Sequence, residues 1–220
     1  MFSVPCPGQN AAMPIAFDAF GTLFDLEALR EPAGDELYDA FYERLQPWTW
    51  LATAADAYLP LPELAELAFE AAAEELGVQA DTAGLASKLT ELPLFPEVAE
   101  ALDALSGERL AVLSNGTADG LEELLARTGV RDRFKHVLAA DSVARFKPAP
   151  EVYALAPRAF GVHADEVTLV SGNAWDTAGA KLAGLRSVWV SRGRPHAPVL
   201  GLTPDEVVED LSALRFASEP

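Results

Sequence analysis

Two patterns of apolar residues divide this chain. Short continuous apolar runs at 15–17, 109–113, 136–139, 167–170 and 187–190, each bounded by Gly or polar residues, predict buried strands. The segments after the later strands, 117–127, 150–160 and 174–183, carry helical spacing, and 97–105 predicts a helix before the second strand. Gly129 and Gly184 stand where two of these helices should close. Strands alternating with helices imply a parallel sheet covered on both faces, with right-handed crossovers.

Between the first strand and 93–96 the pattern differs. Residues 26–92 are rich in Ala and Glu, with Leu37, Ala40, Phe41 and Leu45 on one helical face and Leu64, Leu67, Ala68 and Ala71 on another. Pro47, Pro60 and Pro62 are expected to break this block into at least three helices, with a fourth at 81–89. Trp48 and Trp50 are expected to pack between them. The block therefore reads as an insertion after the first strand. The expected division is a disordered leader at 1–12, a core of 13–25 and 93–220, and a helical subdomain at 26–92.

Composition narrows the classes of function. The chain has 220 residues, half of them hydrophobic and 23% charged, an ordinary globular profile. Its formal net charge of −18 disfavours nucleic acid and anionic membranes as partners. An anionic substrate would need local cations or backbone N–H groups to overcome that field. The single Cys6 allows no internal disulfide, which suggests a reducing compartment, and neither a signal peptide nor a bilayer-spanning run is evident. The expected location is cytoplasmic.

In an open parallel sheet, ligands bind beyond the carboxyl ends of the strands. Polar clusters stand at three such ends: Asp18 before Gly21-Thr22, then Ser114-Asn115-Gly116-Thr117, then Ser171-Gly172-Asn173-Ala174-Trp175-Asp176. Ser114, Asn115 and Thr117 suit either a helix cap or an anion site. His136, His163 and His196 lie away from these ends and are assigned no chemistry.

Four segments, 17–25 (FDAFGTLFD), 113–117 (LSNGT), 146–153 (FKPAPEVY) and 171–176 (SGNAWD), resemble the haloacid dehalogenase superfamily, and within it the L-2-haloacid dehalogenase branch. The resemblance implies a Rossmann-like α/β core with a helical cap, and Asp18 as nucleophile. It implies catalytic or positioning roles for Lys147, Asp176, Asn173, Ser171 and Thr22, and places Ser114, Asn115 and Tyr153 in the substrate site. On physical grounds Phe20 and Trp175 are expected to keep the reacting carbon dry, Trp175 equally suiting core packing, and Tyr42 to offer the halide a hydrogen bond. The resemblance also implies a homodimer. The expected reaction is hydrolysis of short 2-haloacids to 2-hydroxy acids through an aspartyl ester, without cofactor.

Phosphatases of the superfamily carry two carboxylates at positions held here by Phe20 and Asn173. A departing alkoxide needs a proton and a halide does not, so Phe20 fits halide departure, and losing both carboxylates depletes the oxygen ligands that Mg²⁺ requires. No metal is expected, and Lys147 would supply the positive charge. The resemblance also implies an arginine on the first long cap helix, where Tyr42 stands; Arg30 and Arg44 are expected in surface ion pairs instead. A phosphatase-like hydrolase and a non-catalytic small-acid binder are the alternatives.

Overall fold

The computed structural model describes residues 12–195 and 198–215. Residues 1–11 of the expected leader, and His196, lie outside them. Six parallel strands form one sheet: β1 (Pro14–Phe17), β2 (Arg109–Ser114), β3 (His136–Ala139), β4 (Thr168–Ser171), β5 (Arg186–Val190) and β6 (Glu206–Val208). Their order is β3-β2-β1-β4-β5-β6. Chain order thus reverses beside β1, and a crevice opens at its carboxyl end.

Alternate residues of each strand feed opposite faces. Ile15, Phe17, Leu110, Val112 and Val170 pack into one core, while Ala16, Ala111, Leu113 and Leu169 pack into the other. Helices α5 (Val98–Ala104) and α6 (Ala118–Arg127) cover the first face with Val98, Leu102, Leu121 and Leu125. Helices α7 (Pro150–Tyr153), α8 (Leu155–Phe160) and α9 (Ala174–Leu182) cover the second with Tyr153, Phe160 and Ala180. Because both faces are buried, the strands read as unbroken apolar runs.

The inserted region holds α1 (Arg30–Ala33), α2 (Asp35–Ala54), α3 (Leu61–Leu76) and α4 (Thr82–Ser87), the last extended by a 3-10 turn at Lys88–Thr90. Phe41 of α2 stacks on Phe69 of α3 at 3.7 Å and 2°, beside the small residues Ala65, Ala68 and Ala72. Such a ring pair contributes about 0.5–1.5 kcal/mol beyond its buried area.

Three expectations are corrected. Pro47 does not break its helix, because α2 runs through it for 20 residues. An interior Pro costs roughly 3 kcal/mol, and burial of Phe41, Thr49 and Ala52 on either side offsets it. The helix expected at 150–160 is two pieces meeting at Ala154. The strand at Arg186–Val190 is not the last: β6 follows at the sheet edge, three residues long with Val207 exposed, too short to stand out as an apolar run.

Candidate active site

Asp18 follows the last residue of β1, and its backbone N–H donates to Val170 O at 3.0 Å, so the loop leaves the sheet beside the end of β4. Gly21 turns this loop at φ +77°, a conformation that favours glycine. The turn brings Thr22 back over Asp18. Thr22 Oγ1 donates to Asp18 Oδ2 at 2.8 Å and accepts from Gly172 N at 2.8 Å, joining the loops after β1 and β4.

Asn173 Nδ2 donates to the same Asp18 oxygen at 3.0 Å and to Phe20 O at 3.1 Å. Ser171 Oγ approaches it at 3.5 Å and accepts from Asn173 N at 3.1 Å. The other oxygen, Asp18 Oδ1, lies 3.1 Å from Lys147 Nζ. Lys147 Nζ also donates to Asp176 Oδ2 at 2.9 Å, and Asp176 Oδ1 accepts from Tyr153 Oη at 2.7 Å. Asn115 Oδ1 accepts from Lys147 N at 2.8 Å, which ties the loop after β2 to the lysine.

Lys147 and Asp176 are wholly buried, and Asp18 is 6% exposed. Burial alone would lower the Lys147 pKa, but the fields of Asp176 and Asp18 outweigh it and hold the ammonium above its usual 10.5. Burial pushes the Asp176 carboxyl above 3.8, and the charge of Asp18 adds to this against Lys147 and the Tyr153 hydroxyl. Burial and the two carboxylates raise Tyr153 well above 10, so it remains a donor. The array is an ammonium held between two carboxylates, one of them poised to take up a proton.

Above Asp18 lies a cavity of about 60 Å³, room for a molecule of a few heavy atoms. Phe20, Asn115, Asn173 and Trp175 line it from the sheet side, and Tyr42, Leu45, Gln46 and Thr49 from α2. Trp50 of α2 meets Trp175 edge-on at 5.9 Å and 78°, so it bridges α2 and α9 instead of packing among the inserted helices.

Ten of the expected site residues therefore converge on Asp18 or line this cavity. Ser114 and Tyr153, expected to contact substrate, line neither cavity wall: Ser114 Oγ accepts from Gly116 N at 3.2 Å, and Tyr153 lies behind Asp176. Thr117 caps α6, accepting from Gly120 N at 3.3 Å. Arg30 pairs with Glu27, Asp35 and Asp39, and Arg44 with Glu75, so neither reaches the cavity.

Leu45, Gln46 and Thr49 were not anticipated as cavity residues. With Tyr42 they fall at i, i+3, i+4 and i+7 on one face of α2, a spacing present in the sequence. Arg192 and Arg194, after β5, were also missed. They line a second cavity of about 230 Å³ that shares Leu26, Tyr42 and Asn173 with the first. Nothing in the loop's sequence pattern marks it as adjacent to Tyr42.

Fold and site together define a hydrolase with a parallel α/β core that holds a buried carboxylate, Asp18, at the carboxyl edge of the sheet beneath a helical roof. The chain belongs to the haloacid dehalogenase-like hydrolase family, whose profile matches residues 15–184. It is 32% identical over 213 residues to haloacetate dehalogenase H-2 of Moraxella sp. (strain B), covering 91% of this chain and 95% of that one. It is 32% identical over 212 residues to an (S)-2-haloacid dehalogenase of Pseudomonas sp. (strain YL), covering 91% of each. Its fold matches the L-2-haloacid dehalogenase of Xanthobacter autotrophicus, solved with chloropropionic acid covalently bound, with TM-score 0.84 and 27% identity over 92% of this chain and 96% of that one. No helix among the described residues is long and apolar enough to cross a membrane.

Proposed function

We propose that this protein is a hydrolytic (S)-2-haloacid dehalogenase that works through an aspartyl ester. The observation that carries this reading is the pairing of Asp18 with Lys147 at 3.1 Å beneath a small, partly apolar cavity, in a chain similar to named 2-haloacid dehalogenases over nine-tenths of its length.

In the first step a carboxylate oxygen of Asp18 bonds to C2 of the substrate as the carbon–halide bond breaks. The halide leaves with the bonding pair and C2 inverts. Lys147, Thr22, Ser171 and Asn173 hold Asp18 in place, while Phe20 and Trp175 keep bulk water from the nucleophile. In the second step water attacks the ester carbonyl of Asp18. Asp176 takes one proton of the water, the raised affinity of that carboxyl suiting it as general base, and returns it to the former ester oxygen as the carbonyl re-forms. The 2-hydroxy acid thus departs as the alcohol while the water's second proton passes to solvent.

The donor set does not suit Mg²⁺. An ammonium fills the space between the two carboxylates, and Phe20 and Asn173 add no anionic oxygen. No group of three or more His, Cys, Asp or Glu among the described residues is arranged to hold a metal. Residues 26–92 act as the cap, with α2 closing the cavity over Asp18.

The test is a panel of 2-haloacids and small phosphate esters with and without EDTA, reading released halide and phosphate. Halide release that resists EDTA and vanishes in Asp18→Asn is expected. EDTA-sensitive phosphate release would establish a phosphatase instead, and haloacid binding without release would establish a non-catalytic binder.

A further inference from the structure

The reaction creates an anion where the chain offers little positive charge. Asp18, Asp176 and the substrate carboxylate set three negative charges against Lys147, in a chain of net charge −18. The departing halide must be received on the far side of C2 from Asp18, the side roofed by α2.

The polar groups of that roof are Tyr42, Gln46 and Thr49. Gln46 and Thr49 bond to each other: Gln46 Nε2 donates one N–H to Thr49 Oγ1 at 3.0 Å, which ties down the amide, and the single Thr49 hydroxyl proton goes to Gln46 O at 2.7 Å, which spends the threonine as a donor. Tyr42 stacks on Tyr38 at 5.9 Å, and its hydroxyl makes no hydrogen bond to a described residue. That side chain stands in the wall common to the inner cavity and the second one.

Two guanidinium groups line the second cavity, together with the carboxylates of Asp25, which accepts from Glu27 N at 3.0 Å, and Glu27, which pairs with Arg30. Arg192 is held by its terminal nitrogens, pairing with Glu97 at 2.5 Å and donating to Thr22 O at 2.8 Å, with the guanidinium 3.6 Å from the Phe95 ring centre. Glu97 neutralises its charge, and its buried Nε–H has no hydrogen-bond partner among the described residues. Arg194 donates to backbone oxygens, to Gly172 O at 2.5 Å and Ser191 O at 3.0 Å, and forms no ion pair with a described residue. Its charge reaches the Tyr42 hydroxyl, opposing the rise that burial imposes there.

We propose that Tyr42 and Arg194 together receive the leaving halide, the tyrosine hydroxyl donating to it and the guanidinium supplying the countercharge from the second cavity, by which the ion leaves. The proposal rests on the dehalogenase reading. It assigns a positive charge on the loop after β5 to a task that no cation of the cap performs. The halide carries away the electron pair of the broken carbon–halide bond, so the site needs a hydrogen-bond donor and a charge, and no proton transfer.

The test compares wild type with Arg194→Gln, Arg194→Lys and Tyr42→Phe, using chloroacetate and bromoacetate as substrates and bromide and glycolate as product inhibitors. Arg194→Gln is expected to lower kcat/KM for chloroacetate about tenfold and for bromoacetate less, because chloride is the poorer leaving group. It should weaken bromide inhibition about tenfold while glycolate inhibition holds, and Arg194→Lys should restore most of both. Unchanged values in Arg194→Gln, or equal losses for both substrates with equal weakening by glycolate, overturn the proposal. Thermal unfolding separates either result from loss of the Gly172 contact. Bromide titration followed by tryptophan fluorescence reads the site without turnover. A wild type that binds bromide through Arg194 but releases no halide from any haloacid would overturn the dehalogenase reading and leave the anion site standing. Normal turnover in wild type with indifferent Arg194 variants would do the reverse.

Discussion

Lys147 Nζ lies 2.9 Å from Asp176 Oδ2 with both side chains completely buried, and the same ammonium reaches Asp18 at 3.1 Å. Desolvating these charges is tolerable only because each faces an opposite charge and Tyr153 satisfies the remaining oxygen of Asp176.

Replacing the ammonium therefore tests site and fold together. Lys147→Met is expected to abolish halide release and to destabilise the protein by about 3–5 kcal/mol at neutral pH in urea unfolding. The Lys147 pKa is raised on folding, so its contribution is fully present below pH 10.5 and is lost only as pH rises through the higher folded value. In the variant the penalty should shrink as pH falls and protonation of Asp176, whose carboxyl burial already raises, removes the unpaired buried charge. Activity within tenfold of wild type would remove Lys147 from the mechanism.

The acid limb of kcat should report Asp176. Its carboxyl is raised above 3.8, chiefly by burial, so it favours folding in acid, an advantage lost as pH rises from 3.8 through the folded value. As general base it must be ionised, so its protonation sets the acid limb. Tyr153 favours the ionised form by its hydrogen bond, so Tyr153→Phe should move that limb to higher pH. A limb that stays in place in a pH–rate profile would assign the base elsewhere.

Gly172→Ala examines how the two loops meet. An added Cβ would lie 2.2 Å from Gly21 O, a backbone atom, so the loop carrying Ser171 and Asn173 must separate from the one carrying Asp18. A displacement near 1 Å in a reacting group costs on the order of 10²-fold in rate. The expected variant folds with a lowered Tm and loses kcat on that scale. Retained activity would show that the Thr22 to Gly172 junction does not position the nucleophile.

The ester step fixes where solvent oxygen goes. In a single turnover in H₂¹⁸O, water attacks the Asp18 carbonyl, so the label should appear in the peptide containing Asp18 and not in the first 2-hydroxy acid released. Mass spectrometry of a digest reads this directly. Label found first in the product would mean that water attacks C2 itself.

Much of this architecture follows from local pattern. The buried strands announce themselves as apolar runs because a parallel sheet covered on both faces leaves them no solvent side, and polar clusters at three strand ends mark the crevice without knowledge of strand order. Phe20 and Asn173, where phosphatases of the superfamily carry carboxylates, already favour halide over alkoxide as leaving group. Pro47 shows the limit of such local rules, since packing of α2 on α3 outweighs a single residue's preference. The sixth strand shows another, because a three-residue edge strand owes its existence to hydrogen bonds with β5 that no short run can reveal.

Sequence by itself singled out the candidate groups: Asp18, Lys147 and Asp176, with an uncharged tyrosine at position 42. Only the tertiary structure decided that 129 residues of separation close to 3.1 Å between Lys147 and Asp18, and that Arg194, 152 positions beyond Tyr42, shares a cavity wall with it. The physical reason is that spacing along a chain specifies neighbours only within one helix or strand. Which loops meet at the end of a sheet is set by strand order, and that is a property of the whole core.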